Sequence, residues 1–231
     1  MKAPPDGQTL LLARTANAIN ATLYQKLNFN FIGEIAPVAG IARGPNVMVV
    51  NPSVPAKTVP EFIAYAKANP GKVNMASAGN GSPQHVAGEL FKMMTGINMI
   101  HAPYRGGSPA LVDLLGGQVQ VYFATVASSI EYIKAGKLNA LAVTSASRSE
   151  ALPDTPTISE FVPGYEASSW YGVGAPRNSG VEIIARLNKE VGAALTDPQM
   201  KSRFADLGFS ALACSPTEFG KRGYERRRLG R

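Results

Sequence analysis

The sequence predicts an α/β protein built on a mainly parallel sheet with helices on both faces. Three observations carry that expectation. Short apolar runs of strand length alternate with amphipathic segments of helix length. Glycine and proline punctuate the boundaries between them. Hydrophobic residues make up 45% of the 231, enough to bury a substantial core.

The first apolar run is Thr9-Leu-Leu-Leu-Ala13, and the second is Asn46-Val-Met-Val-Val50, closed by Asn51-Pro52. Thr58-Val-Pro-Glu61 has the spacing of a capping box, in which hydroxyl and carboxylate satisfy the donors that a helix's first turn leaves unpaired. Asn69-Pro-Gly71 ends that helix. The alternation then repeats: strand Val73 to Ser77, helix from Pro83, strand Met99 to Tyr104, helix from Pro109, strand Val119 to Ala124, helix from Val126, strand Leu138 to Thr144. Between Ser145 and Ser169 it stops, and Pro153, Pro156, Pro163 and Gly164 mark an irregular connection. Trp170-Tyr-Gly-Val-Gly-Ala-Pro176 reads as a strand leading out, followed by helices at Val181 to Leu195 and Pro198 to Leu207 and a strand around Cys214. The chain thus leaves one lobe near residue 42, builds a second over 42–167, and returns, so the first lobe comprises 1–41 and 168–231.

The bulk numbers exclude several classes. No window approaches the roughly 18 consecutive apolar residues of a spanning helix, and Met1-Lys-Ala-Pro-Pro-Asp-Gly7 lacks the apolar region of a secretory signal. A single cysteine, Cys214, forms no internal disulfide and reads as a buried small hydrophobe. The net charge of +7 is concentrated in Lys221 to Arg231, where six basic residues stand against one glutamate, so a solvated tail explains it and no nucleic-acid partner is expected.

In open α/β sheets, ligands bind at the carboxyl ends of strands. Two turns there share one device: Gly81-Ser-Pro83 and Gly107-Ser-Pro109 each put serine at an N-cap and proline at the first helical position. The backbone N–H groups and positive dipole end of such a helix start suit a carboxylate. Ala78-Gly-Asn-Gly81 is small enough for a ligand to approach its backbone closely, and Asn80 offers amide donors. His85 lies in the first helical turn, able to reach a ligand or to pair with Glu89. Val86, Leu90, Phe91 and Met94 form the stripe that seats this helix. His101 reads as a half-buried strand histidine, and Arg105 as an anion partner or a solvated arginine.

Gly79-Asn-Gly81-Ser-Pro-Gln84 fails the nucleotide fingerprint, because glutamine stands where a third small residue belongs, so no phosphate cofactor is expected. Ser82 near His85 invites a nucleophile-and-base reading, weakened by the following proline and by the lack of a third orienting residue. Two histidines and one cysteine leave little material for a metal site. An enzyme is not expected.

At these residues the sequence resembles a known family. Pro5-Asp-Gly-Gln-Thr-Leu-Leu-Leu12, Val47-Met-Val-Val-Asn-Pro52, Ala68-Asn-Pro-Gly-Lys-Val-Asn74, Ala76-Ser-Ala-Gly-Asn-Gly-Ser82, His85-Val-Ala-Gly-Glu-Leu-Phe91, His101-Ala-Pro-Tyr-Arg-Gly106, Ala135-Gly-Lys-Leu138 and Leu141-Ala-Val-Thr144 are similar to the Bug/TctC family, the extracytoplasmic solute receptors of tripartite tricarboxylate transporters. The resemblance runs over roughly residues 4 to 219. It implies a type II periplasmic-binding-protein fold, two α/β lobes with mixed, mainly parallel sheets that close around a small carboxylate by hinge motion. It also implies a monomer, export to the periplasm, and large and small membrane transporter subunits as partners; the alternative is a sensing module docked on a membrane sensor kinase. Carried over by position, the pocket takes in Thr15 and Asn17 of the loop Arg14-Thr-Ala-Asn17, then Ala78, Gly79, Asn80, Gly81, Ser82, His85 and Tyr104, and the Phe123-Ala124-Thr125 corner. Where many members carry aspartate this chain has Ala124, which argues against a ligand bearing an ammonium group. The resemblance further implies that the chain starts after the family's signal peptide, first strand, Pro-Gly-Gly-type loop and first helix, leaving the first lobe without that N-terminal strand and helix. It implies too that the arginine-rich tail replaces the amphipathic helix expected after Pro216-Thr-Glu-Phe219, and that the chain is a truncated fragment.

Overall fold

The computed structural model describes residues 3–24 and 26–225. In chain order the elements are β1 (Leu11–Arg14), α1 (Thr15–Leu23), α2 (Phe31–Glu34), β2 (Ile35–Val50), α3 (Val59–Ala68), β3 (Asn74–Ser77), α4 (Pro83–Thr95), β4 (Ile100–Pro103), α5 (Gly107–Leu115), β5 (Val121–Thr125), α6 (Val126–Lys134), β6 (Asn139–Val143), a 3₁₀ turn (Ile158–Glu160), β7 (Ser168–Pro176), α7 (Val181–Thr196), α8 (Pro198–Asp206), β8 (Ser210–Ala211) and α9 (Pro216–Glu225). The chain divides into two compact units, one made of Met1–Arg43, Ser169–Ala205 and Phe209–Arg231, the other of Gly44–Ser168 and Asp206–Gly208.

The second unit is an α/β sheet with helices on both faces, as the alternation foretells, but it is mixed rather than mainly parallel. β3 pairs in parallel with β4 and with β5, whereas β2 runs antiparallel to both β5 and β6. β2 therefore lies between two strands that share a direction, and α6 carries the chain from one to the other across it. Both faces of the sheet are covered, so its strands alternate not between oil and water but between two cores. Met48, Val50, Met75, Val121 and Phe123 face α3 and α4, meeting Phe62, Ala87 and Phe91. Val47, Val49, Ala76, Tyr122 and Ala124 join Ala110, Leu111 and Leu114 of α5 and Val126 and Ile130 of α6 on the other face. Tyr165 closes the first of these cores; its hydroxyl donates to Ala87 O at 2.9 Å, and burial pushes its pKa far up.

In the first unit β7 lies between β1 and β2, with Leu11 opposite Gly174 and Arg14 opposite Tyr171, and β8 adds two residues to the outer side of β2. Its apolar clusters are smaller. Ala13, Phe31, Trp170, Leu212 and Phe219 form one, Val38, Ala39 and Ala175 the other. The Trp170 and Phe219 rings meet edge to face at 5.3 Å.

Several local expectations need correction. Asn46 to Val50 is only the end of a 16-residue strand, because the polar and small residues before it pair across β7 and β8 rather than forming a loop. The Thr58 capping box is half made: Thr58 Oγ1 accepts from Glu61 N, but the Glu61 carboxylate turns one residue back to Lys57 N at 2.7 Å. The two Gly-Ser-Pro turns are not one device. Ser82 caps α4, whereas α5 starts two residues before Pro109 with Gly106 at the cap, at a φ of 121° that a side chain would forbid, so Ser108 lies inside the helix. Arg14 to Asn17 is not a loop but the end of β1 and the first turn of α1. Val86 is exposed; the stripe that seats α4 is Gln84, Ala87, Gly88 and Phe91, with Leu90 and Met94 at its margin. The last strand is Ser210–Ala211, and Cys214 lies beyond it, half-buried. A helix does follow Pro216, seated by the buried Phe219, while the arginine-rich stretch from 226 onward lies outside the described residues.

Candidate functional site

The parallel register brings three strand ends to one level in the second unit. Ser77 pairs with Pro103, and Ala76 with Tyr122. Extended to the next residues, the register sets Ala78, Tyr104 and Ala124 side by side at the sheet's carboxyl edge. β2, running the other way, adds Asn46, which pairs with Thr125.

From that edge the chain turns through Ala78 to Ser82 into α4. Two glycines make the turn possible: Gly79 at φ 115° and Gly81 at φ 72° both occupy the left-handed half of backbone space. A Cβ on Gly79 would stand 3.2 Å from Tyr104 O, so the absence of a side chain also lets the adjoining strand end close in. Ser82 N donates to Gly79 O at 3.1 Å, and Ser82 Oγ accepts from His85 N at 3.2 Å. Among the described residues the Ser82 hydroxyl proton has no acceptor. Asn80, at the apex, is exposed, and Pro83 opens the helix.

Two side chains support this turn from beneath. Ser77 Oγ accepts from Gly79 N at 3.1 Å, reaches Gly79 O at 3.2 Å, and lies 2.7 Å from His101 Nε2. His85 Nδ1 accepts from Gly81 N at 3.2 Å, and its ring stacks on that of His101 with centroids 4.0 Å apart. Glu89 stands 3.9 Å from His85 Nε2 and gives its closer contact, 2.9 Å, to Lys92, so the expected His85–Glu89 pair is a loose one. Burial lowers the pKa of both imidazoles, and His85 lowers that of His101 further, outweighing the opposing pull of Glu89. Both shifts favour the neutral rings.

Tyr104 does not offer a free hydroxyl. Its Oη donates to Asp113 Oδ2 at 2.6 Å, and desolvation together with that carboxylate pushes its pKa up to about 12. Tyr104 N is spent on Ser77 O. Ala124 is fully buried in the core behind the edge. Arg105 is exposed.

Sequence reasoning passed over Asn46 and Ser77. Asn46 is 1% exposed; its backbone N–H donates to Thr144 Oγ1 and its carbonyl accepts from Thr144, while Oδ1 is left without a partner among the described residues. A buried polar residue opening an apolar strand was the available signal. For Ser77 the signal was a hydroxyl placed directly before a glycine-rich turn.

In the first unit Thr15 is buried, and its hydroxyl is used twice on the Trp170 backbone, accepting from N at 2.8 Å and donating to O at 3.3 Å. Asn17 is half-buried; its Oδ1 accepts from Arg14 N at 2.9 Å and folds the helix start back on the strand end. Both residues belong to the first unit.

The second unit's strand-end edge thus holds the Ser82 hydroxyl, the exposed Asn80 carboxamide and two imidazoles, with the N–H groups of Gly79, Gly81, Ser82 and Tyr104 already paired. Among the described residues no group of three or more His, Cys, Asp and Glu is placed to hold a metal, and no helix is long and apolar enough to cross a membrane. His85 has its Nδ1 turned to the Gly81 backbone, which leaves Ser82 without a base at that nitrogen. An α/β fold with such a strand-end edge can hold a small polar molecule at the start of α4.

Comparison with known proteins gives the family. The chain belongs to the tripartite tricarboxylate transporter family receptors, whose family model matches residues 1–222. It is 36% identical over 222 residues to the protein BugT of Bordetella pertussis, covering 94% of this chain and 68% of that one. A UPF0065 protein of Pseudomonas sp. is 34% identical over 217 residues, 93% of this chain and 65% of its own length. The chain therefore spans about two thirds of the length of these relatives. Among solved structures it is similar to Rpa4515 of R. palustris with adipate (TM-score 0.91, 34% identity, 99% of this chain and 78% of that one). It is also similar to MatC of Rhodopseudomonas palustris with bound malate (0.89, 27%, 98% and 79%) and to the periplasmic binding protein BugD (0.90, 29%, 99% and 77%). The family is one of receptors, not of enzymes.

Proposed function

We propose that this chain captures a small dicarboxylate in the periplasm, as a monomer without a cofactor, and presents it to the large and small membrane subunits of a tripartite transporter. The two compact units are then its two lobes, with the boundaries near residues 42 and 168 that the alternation suggests. The observation that carries the reading is the Ala78–Ser82 turn, whose exposed Asn80 carboxamide and Ser82 hydroxyl stand at the start of a 13-residue helix. Donors fixed at a helix start favour a carboxylate without needing a countercharge. Two similar proteins were solved with adipate and with malate, which supports the same ligand class here. Tyr104 and His85 are read as supports of the turn, and Asn17 as a better contact than Thr15, whose hydroxyl is committed.

Isothermal titration with adipate, malate, citrate and glutamate at neutral pH tests this. One of the diacids binds saturably, and Asn80→Ala weakens it about tenfold, the loss of one charge-assisted hydrogen bond. Asn80 is exposed, so its melting temperature stays near that of the parent. Binding of none of these acids, or undiminished binding by the variant, overturns the assignment.

A further inference from the structure

We propose that the stacked His85–His101 pair is a neutral brace that holds the Gly79–Ser82 turn in its binding shape, so that acidification weakens carboxylate binding. The inference rests on the reading of that turn as the carboxylate site. His85 and His101 are positioning residues in this account, not ligand contacts.

The geometry makes one ring nitrogen the weak point. His85 Nδ1 accepts the Gly81 N–H, and Gly81 is the left-handed residue on which the turn reverses. A neutral imidazole offers one acceptor nitrogen; a protonated one offers none. Protonation would set an N–H donor against the Gly81 N–H donor and release the turn at its hinge. The same proton would lie against the His101 ring, whose centroid is 4.0 Å away, so a second charge on the pair is opposed. His101 itself tolerates either tautomer. Ser77 Oγ can donate to its Nε2 or accept from it, giving its own proton to Gly79 O in the second case.

The charged groups facing the pair come from α4. Glu89, at 3.9 Å from His85 Nε2, favours the proton, and Lys92, paired with Glu89 at 2.9 Å, opposes it. Burial is the larger influence on both rings and keeps the neutral form. The proton is therefore taken up below the ordinary histidine range, near 6.5, and the brace holds at neutral pH and fails on the acid side.

The sign separates this account from the direct one. If His85 touched the ligand carboxylate, its protonation would add an attractive charge, and affinity would rise as pH falls. The brace predicts the opposite. Adipate and malate titrations of the full chain, from about pH 8 to about pH 5, would be compared with His85→Asn, His85→Leu and His101→Gln. Asparagine places a carbonyl oxygen near the Nδ1 position and does not titrate, so His85→Asn keeps affinity at pH 8 and loses the acid decline. His85→Leu binds about tenfold more weakly throughout. His101→Gln keeps an acceptor for Ser77 and moves the decline to higher pH, because no neighbouring ring competes with His85 for the proton. The diacid's own titration is common to all four proteins and cancels in the comparison. Tighter wild-type binding at low pH, or equal losses for His85→Asn and His85→Leu, overturns the brace.

A ligand-free readout distinguishes this failure from failure of the receptor reading. The chain has two histidines, so each ring is assigned by one substitution in the NMR spectrum. The Gly81 amide is protected from exchange while His85 is neutral and loses protection along the His85 titration. If neither acid binds but Gly81 follows His85, the receptor reading falls and the brace stands. If Gly81 exchanges freely at pH 8, the brace falls.

Discussion

Gly88 is a glycine in the middle of a helix, where propensity alone argues for alanine by about 1 kcal/mol. Its reason is packing. A Cβ built there overlaps Met75 Sδ and stands 3.3 Å from the Phe123 ring, and both of those side chains are fully buried. The bare helix surface lets α4 sit close on β3 and β5, and that close seat aims the helix start, with the Ser82 cap and the Gly79–Ser82 turn, at the strand ends. Gly88→Ala thus sets a helical gain against overpacking of about 1–3 kcal/mol in a core without room. The variant is destabilised, by about 1 kcal/mol net, read as a lower urea midpoint with an unchanged m-value. An unchanged or raised midpoint would mean that Met75 finds another rotamer and that the packing account is wrong.

Whole elements were legible where their signals are local, and only there. Capping serine, threonine and proline residues announce the starts of α3 and α4 because the orphan N–H groups of a first turn need a nearby partner whatever the rest of the fold does. β5 and β6 read as strands because burial on both faces makes Val121 to Ala124 and Ala140 to Val143 unbroken apolar runs. What could not be read is set by partners far along the chain. The first nine residues of β2 contain Ala36, Pro37, Gly40 and Arg43 and look like a loop, yet they are held between β7 and β8, whose residues lie more than a hundred positions away. The antiparallel course of β2 escaped for the same reason. The site was legible as a turn and not as a support: glycines and a cap mark the Gly79–Ser82 turn, but nothing in the sequence says that His101 stacks beneath His85. At this scale Thr58→Ala tests the half-made box. Thr58 Oγ1 is the acceptor for Glu61 N, while Glu61 independently holds Lys57 N. Losing the hydroxyl costs about 1 kcal/mol. Glu61→Gln, which keeps an acceptor for Lys57 N, costs less than half as much by thermal melting; equal costs would show the two caps acting as one.

The two units of the molecule are unequally built, and the single tryptophan makes this measurable. The second unit carries two large cores, one on each face of its sheet, with Phe62, Phe91, Phe123 and Met48 fully buried. The first unit has small clusters, and of the 16 residues of α7 only Leu195 is buried, of α8 none. Stabilisation scales with apolar area removed from water, at about 25 cal/mol per Å², so the second unit holds the larger share. The first is also assembled from three separated stretches of chain, and closing long loops costs entropy before their contacts form. The first unit should therefore open at lower urea than the second. Trp170, the chain's one tryptophan, is 6% exposed in the first unit's core beside Phe219, so its fluorescence reports that unit alone. Far-ultraviolet circular dichroism reports helices of both. The fluorescence midpoint should precede the dichroism midpoint, and hydrogen exchange should protect β3 and β5 beyond β1 and β7. Coincident transitions would mean that the two units unfold as one, with β2, whose 16 residues run through both, as the element that ties them.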